Sequence, residues 1–166
     1  QSTFASSLSE NDEAKPLFWE TQMKIKELPL AKASDLASTR PEETVPQVAR
    51  ELTDRNIGAL PVVDQSGNLV GIISERDIVQ CFAESNGAIN GKTVSDLMTT
   101  DVVTCSSEDD VSVIMEMMDD NKFRPIPVLD NGRLHSIISS RDVMTEVLRE
   151  SKAHIKNLGL AYETVR

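Results

Sequence analysis

The chain has 166 residues and carries 27 acidic against 17 basic side chains, a net charge of −10. That balance excludes the clustered Lys and Arg surface on which affinity for nucleic acid or an anionic membrane rests. With 39% apolar residues, one Trp and one Tyr, and no apolar run near the ~18 residues of a membrane span, the composition describes a soluble globular chain with material for one ordinary core or two small ones.

Residues 1–13 are rich in Ser, Asp, Glu and Asn and read as a mobile end. Gln1 in place of Met leads to the expectation of a removed leader or tag, so the predicted location is cytoplasmic, or organellar if a leader preceded Gln1. From Pro16 to Leu28, the residues Leu17, Phe18, Trp19, Met23, Ile25 and Leu28 predict an amphipathic helix that docks on the core or on a second subunit. Residues 1–30 are therefore set apart as a tail with one helix.

Leu36 to Thr39 reads as a weak strand. Arg40-Pro41-Glu42-Glu43 follows as a helix start, because proline and acids suit a first turn. Val45, Val48, Ala49 and Leu52 then form one apolar stripe at i, i+3, i+4 and i+7. Asn56 to Asp64 is a strand interrupted by Pro61, and Gly67-Asn68 marks the turn into a second, β-branched strand. A helix over 77–84 completes the unit. Each of these features returns. The stripe recurs as Val111, Ile114, Met115 and Met118 behind Glu108-Asp109-Asp110, and the proline strand as Lys122 to Asp130, with Pro127 for Pro61. Gly71-Ile-Ile-Ser-Glu-Arg-Asp77-Ile-Val79 recurs 65 positions later as Ser136-Ile-Ile-Ser-Ser-Arg-Asp142-Val-Met144. The methionines of the second stripe are more simply core than a cofactor box.

The spacing gives two units, 31–88 and 94–150, each read as strand, helix, strand, strand, helix, with a helical tail over 151–166. A unit this small buries little surface alone, so the two copies are expected to share a core. In Ser74-Glu-Arg-Asp77 and Ser139-Ser-Arg-Asp142 the serine suits an N-cap and the aspartate falls at the third helical position. Helix capping accounts for both pairs. The same strand-to-helix junction also suits a phosphate at the helix N-terminus and sugar hydroxyls on the acid. Cys81 and Cys105 have no metal-ligand spacing and read as buried free thiols in a reducing compartment, and His135 and His154 as isolated surface residues. No metal site is expected, and no nucleophile–base pair or P-loop frame points to an enzyme.

Taken in order and twice, the Val94-Ser-Asp-Leu-Met-Thr99 lead-in, the Asn56 to Val63 strand, the Gly71 to Asp77 motif and the duplication resemble a tandem pair of CBS (cystathionine β-synthase) domains. The resemblance covers roughly residues 31 to 150 and is closest to small stand-alone CBS-pair proteins. It implies an α+β fold of two tandem β-α-β-β-α repeats packed about a pseudo-two-fold axis. It also implies a non-catalytic homodimeric regulatory module that binds adenosine nucleotides (AMP, ADP, ATP, NAD or S-adenosylmethionine) between the domains and needs no further cofactor. A regulated protein partner goes with that role. The contacts implied are Thr39, Ser74, Arg76 and Asp77 in the first copy. In the second they are Val103, Thr104, Cys105, Lys122, Arg124, Pro125, Ile126, Pro127, Ser139, Arg141 and Asp142, with the aspartates on ribose and the cations near phosphate. Ser136 stands where the first copy has Gly71, and Arg124 where the family commonly has histidine. The cleft with Asp142 is expected to be the stronger, since Val102, Val103 and Cys105 offer a more apolar purine seat than Leu36, Ala37, Ser38 and Thr39. The alternative reading is a structural or interaction protein with degenerate clefts.

Overall fold

The computed structural model describes residues 23–31, 35–121, 125–149 and 151–152. Helix α1 spans Val45–Arg55 and is capped by Thr44, whose amide and hydroxyl both donate to Gln47 Oε1, at 3.1 and 2.7 Å. The expected start at Arg40 to Glu43 is corrected: those residues make a turn closed by the Glu43 amide on the Arg40 carbonyl at 3.1 Å. A helix begun there would place Pro46 in its interior, where the ring clashes with the carbonyl four residues back. Begun at Val45, it holds Pro46 in the first turn, where no donor is missed. The helix buries Val45, Val48 and Leu52 and ends at Asn56, in the left-handed region at φ 53°.

Strands β1 (Ala59–Val63) and β2 (Leu69–Ser74) pair antiparallel, with Ala59 opposite Ser74. In the turn between them the Asp64 carboxylate accepts the Asn68 side chain and the Asn68 and Ser66 amides at 2.8 to 2.9 Å, which holds its carboxyl below the usual range. The predicted strand at Leu36 to Thr39 is reduced to a single bridge from Thr39 to Val62. Helix α2 (Glu75–Glu84) follows β2 without a break. In the second copy β3 (Cys105–Ser106) runs parallel to β4 (Ile126–Asp130), and β4 pairs antiparallel with β5 (Arg133–Ile138). Asn131 at φ 50° and Gly132 at φ 76° make the two-residue turn between them, which needs positive φ at both positions. Helix α3 (Val111–Asn121) lies between β3 and β4, and α4 occupies 140–149. The structure is thus α+β with the same topology twice. Of the predicted C-terminal helical tail, 151–152 are helical and 153–166 lie outside the described residues.

The duplication reaches further back than residue 31. Ile25–Glu27 and Val94–Asp96 are short 3-10 turns of the same kind, and each docks on the other copy. Ile25 and Lys26 amides donate to the Asp109 and Ser107 carbonyls at 3.1 and 2.9 Å, and Met23 accepts from the first amide of α3 at 2.9 Å. In mirror fashion, Val94 and Ser95 amides donate to the Glu43 and Pro41 carbonyls at 2.9 and 3.0 Å, and Lys92 accepts from the first amide of α1 at 3.0 Å. Where a helix was predicted to run through Leu28, the described part is a three-residue turn: the Ile25 and Lys26 amides are spent on the other copy, and those of Glu27 and Leu28 close the turn on Lys24 and Ile25. Residues 16–22 of that helix, with Leu17, Phe18 and Trp19, lie outside the described residues.

The apolar cores follow the same exchange. Val48, Leu52, Leu60, Val62 and Ile73 of the first copy enclose Val94, while Val111, Ile114, Met118, Ile126, Val128, Ile138 and Val143 of the second enclose Ile25 and Leu28. Burying a residue of this size completely is worth about 1.5–3 kcal/mol. Each small core thus includes apolar surface lent by its sister. Gly71 belongs to the same device: a Cβ there would stand 2.7 Å from Met98 Sδ and 3.1 Å from the Thr99 carbonyl, so the second lead-in lies directly on β2. At the corresponding position of β5, Ser136 is buried and its hydroxyl donates to the Ala31 carbonyl at 2.9 Å, tying the first lead-in down.

Candidate functional site

Both Ser–Asp pairs lie at a strand-to-helix junction. Ser74, the last residue of β2, donates its amide and hydroxyl to Asp77 Oδ2 at 2.7 and 2.6 Å, and Ser139 does the same to Asp142 Oδ2 at 2.8 and 2.5 Å. In the first copy this is a capping box, completed by the Asp77 amide on the Ser74 hydroxyl at 3.4 Å; in the second, aspartate makes the same half of the box while its amide donates to the Ser139 carbonyl at 3.1 Å. One oxygen of each carboxylate does this work. The other, Oδ1, takes no hydrogen bond among the described residues and remains an acceptor on a half-buried side chain. Arg76 and Arg141 occupy the second helical position, both exposed.

Sheet register decides which further residues gather at these junctions. In the second copy Ile126 faces Ile138, so Pro125, Ile126 and Pro127 lie beside Ser139. Cys105 faces Val128 and its thiol points to the Pro127 carbonyl at 3.7 Å, which carries Val103 and Thr104 to the same end of the sheet. Three predicted segments, 103–105, 125–127 and 139–142, are thus brought together. Val103, Thr104 and Pro125 are half-buried, whereas Cys105, Ile126 and Pro127 are buried. Burial, with Asp109 nearby, pushes the Cys105 thiol up to about 12. It is a neutral core group, so the cleft has only its backbone. Lys122 and Arg124, expected near phosphate, lie outside the described residues.

In the first copy Thr39 donates its amide to the Pro61 carbonyl at 3.0 Å, and the Glu75 amide donates to the Gly58 carbonyl at 3.0 Å. This places Gly58 to Pro61 against Ser74 and α2, a stretch that sequence reasoning left out of the first site although the offset of 66 from 124–127 would have supplied it. Thr39 is 1% exposed and its hydroxyl has no partner among the described residues. The Glu75 carboxylate reaches within 4.0 Å of where a Cβ on Gly58 would lie, and the second copy has Ser140 in its place. The first junction therefore carries an extra negative charge. A depression on α3, with Met115, Glu116, Asp119 and Asp120 in its wall, includes no predicted site residue in its described lining. Among the described residues no group of His, Cys, Asp and Glu is placed to hold a metal ion, and no helix is long and apolar enough to cross a membrane.

Comparison with known proteins matches the same two units. The family model of the CBS domain fits residues 25–84 and 94–149. An uncharacterized 17.7 kDa protein of Acidianus ambivalens is 35% identical over 141 residues, 81% of this chain and 82% of the relative. Among solved structures, CBSX2 in complex with AMP superposes with a TM-score of 0.68 at 25% identity, covering 77% of this chain and 98% of that one. The CBS domain pair of protein MJ0100, solved with 5′-methylthioadenosine and S-adenosyl-L-methionine, gives 0.64 at 27% identity, covering 78% and 99%.

Proposed function

We propose, from the premise that this chain belongs to the CBS domain family, that it is a regulatory, non-catalytic module whose two clefts take adenosine-containing ligands of the AMP, ADP, ATP, NAD or S-adenosylmethionine class. The observation that carries this is the divided use of Asp77 and Asp142. One oxygen closes the helix cap, and the other stands unengaged beside a helix N-terminus, where two sugar hydroxyls and a phosphate find an acceptor and a dipole. AMP in CBSX2 and the sulfonium and thioether nucleosides in the MJ0100 pair support the ligand class. Arg76, Arg141, Lys122 and Arg124 are assigned to phosphate, Thr39, Val103, Thr104, the Cys105 backbone and Pro125 to Pro127 to the base, and Ser74 and Ser139 to holding the aspartates.

Thermal unfolding tests the assignment. A ligand that binds only the native state at a hundred times its Kd adds about 2.7 kcal/mol, so the matching nucleotide is expected to raise Tm by about 5–10 °C. No shift with any of the five leaves the second reading, an interaction protein with degenerate clefts. That reading is favoured by the boxes themselves, since capping alone accounts for both Ser–Asp pairs.

A homodimer belongs to the same proposal. Val79 and Phe82 on α2 are 67% and 55% exposed, and Met144 and Leu148 on α4 are 49% and 54% exposed, each pair one helical turn apart. Two helix faces of the same origin with their apolar side outward suit self-association about a two-fold axis. Light scattering at micromolar concentration is expected to give twice the chain mass of 18.3 kDa, and Phe82→Lys with Leu148→Lys to return it to the monomer. A monomeric wild type removes this part of the proposal.

A further inference from the structure

The two crossed lead-ins differ in what lies before them. The second, around Val94, joins α2 to β3 and is held by the chain on both sides. The first, residues 23–31, has no element before it among the described residues. Its grip on the second copy is also more polar. Lys26 donates to both Glu108 oxygens at 2.9 and 2.8 Å, Lys24 Nζ lies 3.0 Å from Asp110 Oδ1 as an ion pair without hydrogen-bond alignment, and Ser136 holds Ala31.

These anchors sit at both ends of the second cleft. Segment 103–105 leads through β3 into Ser107, Asp109 and Val111, whose backbone groups hold Lys26, Ile25 and Met23. Ser139 and Asp142 follow directly on β5, whose Ser136 holds Ala31. A ligand bridging 103–105 to 139–142 therefore presses on two short pieces of chain, each within two or three residues of a bond to the lead-in.

We propose that residues 23–31 are the output arm of the second cleft: its occupancy tightens their hold on the second copy. This rests on the nucleotide reading of that cleft. Coupling is reciprocal, so whatever the ligand adds to anchoring, anchoring adds to affinity, and a coupling of ordinary size is about five- to 150-fold.

Hydrogen exchange on the full chain, with AMP saturation followed by calorimetry, tests it. AMP is expected to slow exchange of the Ile25 and Lys26 amides at least about fivefold, and to slow Val94 and Ser95 less. Lys24→Glu with Lys26→Glu, and separately Ser136→Ala, are expected to weaken AMP binding by the factor seen in exchange while unfolding stays cooperative. Saturation by calorimetry with unchanged exchange at Ile25 and Lys26 overturns the output arm and leaves the nucleotide site standing. So does wild-type AMP affinity in both folded variants. Absence of any heat with AMP, ATP or S-adenosylmethionine overturns both, and calorimetry on the wild type alone tells the two failures apart.

Discussion

Asp142→Asn weakens AMP binding roughly 5- to 150-fold, the equivalent of about 1–3 kcal/mol for a carboxylate that accepts hydrogen bonds from ribose, and Asp77→Asn weakens it less. The amide oxygen of asparagine can still receive the Ser139 amide, so the helix cap is largely kept and melting temperature changes little. Affinity and stability are thereby separated. The second copy is expected to dominate because Glu75, on the first turn of α2 over Gly58, adds a negative charge where the second copy has Ser140. A phosphate approaching the first junction meets that charge. Calorimetry of both variants with AMP, alongside their melting temperatures, decides the matter. Loss of the tighter site in Asp77→Asn alone reverses the order of the clefts, and unchanged affinity in both leaves aspartate as a cap and nothing more.

The second large effect is on the fold. Ile25 is 1% exposed and packs among β4, β5, α3 and α4 residues from the other end of the chain, so Ile25→Ala is expected to cost about 2–5 kcal/mol. Because Val94 fills the mirror position in the first copy, the loss should appear in one cooperative transition rather than in one half. Urea unfolding followed by far-ultraviolet dichroism, with Val94→Ala measured alongside, reads this. Two separated transitions, or an Ile25→Ala variant as stable as wild type, would show that each copy closes its own core.

The duplicated architecture was legible because its signals are local. The apolar stripes at Val45 and Val111, the proline-marked strands, the Asn131-Gly132 turn and the Ser–Asp boxes each report a nearby backbone geometry, and the structure places them at the expected elements. The helix start at Arg40 was misjudged because Pro41 and the two glutamates satisfy a turn as well as a first helical turn, and Pro46 decides between them only once its carbonyl neighbour is considered. The crossing of the lead-ins was not legible at all. Periodicity reports which side of an element is apolar, not whose core it enters, and a three-residue turn such as Ile25–Glu27 is too short to show a period. Ser136 illustrates the cost. Against Gly71 it looked like a departure at the ligand cleft, but it is a buried tie to Ala31, 105 residues away. Thr39 and Cys105 were read as a purine seat, and their side chains turned out to be buried.

Synthesis from the N-terminus gives the crossed lead-ins a temporal meaning. The first copy is complete in sequence by about residue 84, yet its core lacks Val94 until the linker has left the ribosome. Ile25 emerges early and has no partner until α3, β4 and β5 exist, since the groups that hold it are the Asp109 carbonyl and side chains such as Val111, Ile126 and Ile138. Closing such long loops precedes any gain from burial, which slows the search. Native assembly on the ribosome must therefore wait for nearly the whole pair, and a nascent chain stalled between the copies would expose the groove that Val94 fills. The linker over 85–91 thus sets how soon Val94 can reach the core of the first copy, and its length is a lever on folding rate.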